Sequence, residues 1–141
     1  MALAAVVLLL GGFAYTQSRP PTPSDYHRTL VQVAESAHDA VRTGWLTGRE
    51  QLSGRVFGTF VMAAFDDAGT AIAGAGKKFA AAVPPDGRSA RLRDRLNPLL
   101  QEAVRDLGDA ARADNDDVLR AAVDALGRLA DRLDTFIEDL R

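Results

Sequence analysis

The strongest constraint on the fold is the spacing of apolar residues, which recur at steps of three and four along most of the chain. The pattern is clearest near the end of the chain, at Leu119, Ala122, Leu126, Leu129, Leu133, Phe136 and Leu140. Such spacing puts the apolar side chains on one face of an α-helix. No stretch alternates apolar and polar residues as a half-buried strand would. The pattern therefore predicts an all-α protein.

Three earlier stretches show the same spacing and are separated by turn signals. Their apolar faces run from Leu30 to Trp45, from Phe57 to Phe79 and from Leu92 to Ala110. Amphipathic helices with short connections favour an up-down bundle. We therefore predict an up-down helical bundle domain in residues 25–141, with three to four amphipathic helices, and this length suffices to bury a core.

The helix ends are predicted from capping residues, prolines and glycines. Thr22, Pro23 and Asp25 are typical of the cap, first and third positions of a helix. We expect the glycines at 74–76 to bend or break the second helix, because glycine weakens a helix interior. Pro98 either kinks the third helix or opens a new one, and the unbroken apolar spacing favours the kink.

The boundary between the first two helices is predicted from a glycine and a capping box. Gly44 is expected to end the first helix, and the segment Thr47-Gly-Arg-Glu50 is expected to begin a second helix that continues to about Ala82. Trp45 would then anchor the core at the end of a helical hairpin.

The chain begins with an apolar segment. Residues 2–15, ALAAVVLLLGGFAY, carry no charged side chain, and the uncharged run reaches Ser18. A bilayer crossing usually takes about 20 apolar residues, whereas a signal-peptide core takes about 7–15. We therefore assign residues 1–18 to a hydrophobic signal or anchor segment through which the chain engages a membrane. Residues 19–24, which hold three prolines, form a stiff spacer.

The direction in which this segment inserts is open, because Arg19 and Arg28 follow it and no basic side chain precedes it. One explanation is a start further upstream, with an Arg or Lys before the apolar run. The other is an anchor whose amino terminus lies outside, since basic residues favour the cytoplasmic side. We favour the first, because an apolar start and a Pro-rich spacer are the usual order in exported proteins. A terminal helix packed in a soluble core is the remaining alternative.

The composition excludes several classes of function. The formal net charge is -2, so the chain lacks the basic field that nucleic-acid binding needs. It has no cysteine, which excludes disulfides, thiolate zinc sites and cysteine nucleophiles. Most of its basic residues are arginine, and with abundant Ala and Asp this usage is typical of a GC-rich bacterium.

Glu35 and His38 are the candidate metal ligands, because Glu-x-x-His on a helix is the pattern of di-iron carboxylate bundles. Those bundles need the pattern on two helices, and this chain has one copy. The other histidine, His27, lies about 16 Å away along the same helix, so both cannot bind one ion. We therefore expect Glu35, His38 and Asp39 to form a solvated, mutually paired patch, and we expect neither a metal nor another cofactor.

Two further features could carry chemistry. Asp66 and Asp67 could serve as acid and base, but adjacent helical positions point about 100° apart, and we expect both on the solvent face. Met62 could hold a haem, but we expect it to fill the core. No nucleophile elbow or phosphate-binding loop occurs in the sequence. The sequence therefore predicts that the protein is not an enzyme.

Together these features favour a non-enzymatic helical bundle, exported or membrane-anchored, that acts at the bacterial envelope. It would act through contacts with a protein partner or with itself, and the bundle is expected outside the cytoplasm. Reversible binding of the amphipathic helices to a lipid surface is the alternative, although the negative net charge counts against it. A metal-binding bundle through Glu35 and His38 is the lesser alternative.

Overall fold

Four α-helices joined by short connections make up the computed structural model, which describes residues 21–56 and 58–141. The helices are α1 (Pro23–Leu52), α2 (Gly58–Ala81), α3 (Gly87–Ala111) and α4 (Asp116–Leu140). The all-α fold and the bundle architecture are confirmed. The predicted hydrophobic segment, residues 1–18, and the first spacer residues lie outside the described residues.

The start of α1 agrees with its sequence pattern. The Thr22 hydroxyl accepts a hydrogen bond from the Asp25 amide at 3.2 Å and donates one to the Asp25 carboxylate at 2.7 Å. This hydroxyl contact lowers the pKa of the Asp25 carboxyl below its usual value. Pro23 takes a position in the first turn, where an amide would have no helical acceptor. The cap therefore satisfies an amide that the helix itself leaves free.

α1 continues through Gly44 and Gly48, so the predicted end of the first helix and the predicted capping box at residues 47–50 are wrong. Both glycines face other helices. A Cβ atom on Gly44 would collide with Leu107 of α3, and one on Gly48 would collide with Val123 of α4. These glycines therefore let α1 approach its neighbours closely, and they do not mark helix ends.

The first helix connection begins at Ser53 instead. The Ser53 amide donates to the carbonyl of Arg49 at 3.1 Å, which closes the last turn of α1. Gly54 follows with a φ of 69°, a left-handed conformation that glycine adopts without steric cost. The chain leaves the helix at this residue, because such a conformation cannot continue a right-handed helix.

Trp45 lies within α1 and not at the end of a hairpin, in contrast to the prediction. Its half-buried ring lies over Gly127 of α4, where a Cβ atom would come within 3.1 Å of the indole nitrogen. The guanidinium groups of Arg42 and Arg49 lie 4.8 and 4.7 Å from the ring centroid. The ring packs against the core from outside and covers the contact between α1 and α4.

α2 and α3 are each continuous. Gly74 and Gly76 do not interrupt α2, so the expected break is wrong. Nothing lies within 4 Å of a Cβ atom placed on either glycine, which means that no neighbouring helix approaches them. α3 passes through Pro98, and this excludes a new helix that begins at Asn97.

α1 is the central helix of the bundle. It contacts α2, α3 and α4, whereas α2 contacts α1 and α3 but not α4 within the described residues. α1 begins beside the end of α2, where Lys78 donates to Gln32 at 2.5 Å. α3 and α4 are likewise antiparallel, since Arg132 donates to Glu102 at 2.6 Å. Consecutive helices therefore run up and down.

The core contains side chains from all four helices, and its largest fully buried members are Leu30, Leu96, Leu126, Leu129, Leu133, Val33 and Val41. All seven apolar residues predicted for the α4 face are buried. Phe57, predicted for the second helix, lies outside the described residues. None of the helices in the described part of the chain is both long and apolar enough to cross a membrane.

Candidate interaction surface

The two predicted metal ligands do not come together at a site. Glu35 lies 4.0 Å from the guanidinium group of Arg141. His38 lies between two other carboxylates, with its Nδ1 3.6 Å from Asp39 and its Nε2 3.6 Å from Asp134. Among the described residues, no group of three or more His, Cys, Asp or Glu side chains could hold a metal ion. Of the expected patch, His38 and Asp39 are paired, whereas Glu35 pairs elsewhere.

Asp66 and Asp67 both lie on the exposed side of α2, as predicted. In the part of the chain that the structure describes, no ion pair includes either of them. An acid and a base that work together must both reach one substrate atom. Asp66 lines the groove between α2 and α3, and Asp67 does not.

A large concave surface lies between α2 and α3, and we call it the α2–α3 groove. It has a volume of about 820 Å³ and is open to solvent. Its main walls are Val61, Met62, Phe65, Gly69 and Ala73 of α2 and Ala110 and Ala111 of α3. A smaller cavity of about 200 Å³ continues it past Val104. The groove is mostly apolar, and Asp66 is its single ionisable lining residue.

Large apolar side chains at this groove are exposed to solvent. Met62 is 75% exposed; Phe60, two residues earlier, is 59% exposed but lies on the opposite flank of the helix, because successive helical residues turn by about 100°. Val104, across the groove on α3, is 57% exposed. The expectation that Met62 fills the core is therefore wrong. Clustered exposed apolar side chains are typical of surfaces that bind another molecule.

The groove exists because small side chains face each other across two helices. α3 presents Ala110 and Ala111 near its end, and α2 presents Gly69 and Ala73 opposite them. α4 lies on the far side of the bundle from α2, so no third helix fills the space. The outer half of α2 is therefore left without packing partners along much of its length.

The outward surface of α2 also differs from the rest of the bundle in charge. We call this surface the outer face of α2; its residues are Met62, Ala63, Asp66, Thr70, Ala73, Gly74 and Lys77. The helix has four charged residues in all: Asp66 and Asp67 in its first half, Lys77 and Lys78 near its end. Ion pairs connect α1 to α4 and α3 to α4, but none of those among the described residues involves α2.

Asp106 is a second unusual polar residue, at the contact between α3 and α4. Its side chain is 8% exposed, and its Oδ1 accepts from Arg105 at 3.3 Å. Its Oδ2 is buried and has no hydrogen-bond donor. Burial raises the pKa of this carboxyl above its usual value, the Arg105 charge opposes that rise and Glu102 adds to it. The side chain also lines a cavity of about 460 Å³ between α3 and α4. A buried carboxylate oxygen without a donor is unfavourable for the folded state.

Sequence reasoning identified the charged residues of α2 but missed the groove. Phe60 and Met62 fall off the three- and four-residue spacing of the buried face, which was the available signal for their exposure. The groove itself depends on which small residues of α3 lie opposite α2. Comparison of the chain with protein-family models, with curated proteins and with solved structures gives no match.

Proposed function

We propose that this protein is a non-enzymatic helical bundle, exported or membrane-anchored, that binds a protein partner through the outer face of α2 and the α2–α3 groove. The observation that carries the proposal is the 75% exposure of Met62 in the wall of a groove of about 820 Å³. Burying a side chain of that size contributes about 1.5–3 kcal/mol. A large exposed apolar side chain in the wall of an apolar groove is typical of an anchor region in a protein interface.

The shape of the groove suits a helical or extended partner segment. It runs between two helices, and its floor consists of small or apolar side chains such as Phe65, Gly69 and Ala73. Amphipathic helices bind in this way, with apolar residues on one stripe set into a hydrophobic groove. Asp66 at its edge would orient a basic residue of the partner.

The location at the envelope is supported by the sequence. Residues 2–15 are apolar and uncharged, and residues 19–24 follow as a proline-rich spacer. Such a segment brings a domain to a membrane or across it. The spacer would then hold the bundle at a short distance from the lipid.

Binding to lipid through the same face is less favourable. Met62 would insert into an interface, but Asp66 and Asp67 share its helix, and the surfaces of bacterial membranes are commonly anionic. Vesicles containing phosphatidylglycerol distinguish the two functions. Flotation of the chain without residues 1–18 on such vesicles would favour lipid as the ligand of α2.

Position-specific photocrosslinking in cells tests the proposed function. A photoreactive benzoylphenylalanine replaces Met62 in the full chain, and the matched control carries it at Asp117 of α4, a side chain that is 94% exposed. We expect protein adducts from position 62, in the membrane or exported fraction, and none from position 117. Equal adducts from both positions, no adduct from position 62, or a chain found with the cytoplasm would contradict the proposal.

A further inference from the structure

We propose that the partner bound by the outer face of α2 is a second copy of the same chain, with the two α2 helices antiparallel about a two-fold axis near Ile72. This inference rests on the proposed function, since it takes α2 to be the interaction surface. It adds the identity of the partner and the register of the contact.

The charges of α2 are arranged for an antiparallel pair. Asp66 and Lys77 lie about 16 Å apart along the helix, too far for an ion pair within one copy. Turning a second α2 end for end about the point midway between Ala71 and Ile72 brings the Asp66 of each copy level with the Lys77 of the other. A parallel pair in register would instead place the Asp66 residues of the two copies opposite each other, and likewise the two Lys77 residues. Like charges would then repel. The charges therefore select the antiparallel arrangement.

The outer face between these charges has the shape that close helix packing needs. Thr70, Ala73 and Gly74 are exposed and small, and space beyond Gly74 is open. Side-chain size at the contact sets the distance between two packed helices, so small residues permit a close approach. In the antiparallel register, Thr70 of each copy lies level with Ala73 and Gly74 of the other.

Exposed apolar residues meet at the two ends of the same contact. Met62 is 75% exposed, and Ala80 and Ala81 at the end of α2 are exposed as well. The register that pairs Asp66 with Lys77 also brings Met62 of one copy level with Ala81 of the other. One two-fold operation thus matches charge with opposite charge and apolar with apolar along the helix, which is the self-complementarity of an isologous dimer.

The two kinds of contact have different effects. Exposed ion pairs contribute little to affinity, so Asp66 and Lys77 set the direction and register of the helices. The apolar contacts of Met62 with Ala80 and Ala81 provide most of the association, because burying them removes apolar surface from water. The α2–α3 groove lies beside the contact.

Cysteine crosslinking tests the dimer, because the chain has no native cysteine. A short bismaleimide is applied to membranes that carry the full-length Thr70→Cys chain, since residue 70 lies near the proposed axis. We expect a product of twice the 15.1 kDa chain mass. Adding Asp66→Lys should reduce that product about tenfold, because each contact then faces like charges. Adding Lys77→Asp as well should restore it.

The control is Asp124→Lys, the same change on an exposed carboxylate of α4, and it should leave the crosslinked product unchanged. Circular dichroism of each variant verifies that the bundle remains folded. Absence of the dimeric product, or a product that Asp66→Lys leaves unchanged, overturns the proposed dimer. Photoadducts from position 62 whose mass is not twice that of the chain would keep the proposed function while rejecting the dimer. Absence of adducts in both experiments rejects both.

Discussion

Asp106 carries the one carboxylate oxygen, among the described residues, that is buried without a hydrogen-bond donor. Removing a charged group from water is costly unless partners replace the water. Arg105 supplies one long contact of 3.3 Å, and the nearby Glu102 and Asp109 charges oppose ionisation. The bundle therefore folds in spite of this residue, through the packing of its apolar neighbours.

Replacing Asp106 with asparagine should stabilise the protein at neutral pH. The variant keeps the shape of the side chain and removes its charge, so we expect the free energy of unfolding to rise by about 1 kcal/mol at pH 7. Burial raises the pKa of this carboxyl in the folded state above the ordinary 3.8. The folded state therefore binds the proton more tightly than the unfolded state does. The wild type consequently loses stability as the pH rises from the unfolded-state pKa towards the higher folded-state pKa.

Urea unfolding from pH 4 to pH 7.5, followed by circular dichroism, measures this difference. The advantage of the Asp106→Asn variant should be smallest at pH 4 and should grow with pH. A variant that is less stable than the wild type at every pH would show that Asp106 has a favourable partner. An advantage that does not change with pH would mean that ionisation of this residue is not its cause.

At the level of the helices, glycines have opposite effects depending on what faces them. Gly48 in α1 faces Val123 of α4, whereas nothing lies near Gly76 in α2. The Val123 side chain is branched at Cβ and has one strongly preferred rotamer in a helix, so it cannot retreat from a new methyl group. The same Gly-to-Ala change is therefore unfavourable at one site and favourable at the other.

We expect Gly48→Ala to lower the free energy of unfolding by about 1–3 kcal/mol, through overpacking of the contact between α1 and α4. Gly76→Ala is the matched control and should raise it by up to about 1 kcal/mol, because alanine is the better helix former. Thermal and urea unfolding of the two variants measure both changes. Equal effects of the two substitutions would show that α1 and α4 are not as close as the structure has them.

These glycines also explain why a helix end predicted from the sequence is wrong. The apolar spacing predicted the helical class and most buried positions, and Thr22, Pro23 and Asp25 predicted the start of α1, because all of these depend on neighbours in the chain. Gly44 indicates a helix end by a rule of the same local kind, because glycine commonly ends a helix. Its role is to face Leu107, a residue distant in the chain, and no local rule shows such a contact.

At the level of the whole molecule, the candidate surface follows from how the helices are arranged. The sequence places Asp66 and Asp67 on a solvent face, but the α2–α3 groove forms only because Ala110 and Ala111 of α3 come opposite α2. Met62 was expected in the core because its residue type is usually buried there. Its exposure depends on the orientation of α2, which packing against α1 and α3 fixes.

The surroundings of Glu35 and His38 likewise depend on residues that are distant in the chain. Glu35 and His38 have the spacing of a metal-binding pair, yet Glu35 lies beside Arg141 and His38 beside Asp39 and Asp134. A ligand set needs side chains from several helices that converge on one point. Spacing within one helix supplies at most two of them.

If α2 is the surface through which the protein acts, its outer face must be covered in the cell. Cysteine labelling measures this directly: Met62→Cys and Asp117→Cys variants of the full chain are exposed in intact cells to a membrane-permeant maleimide, and each rate is normalised to that of the urea-unfolded protein. We predict that residue 62 is labelled at least about tenfold more slowly than residue 117, although both side chains are mostly exposed in the isolated bundle. Equal normalised rates would contradict the claim that α2 is the surface through which the protein acts.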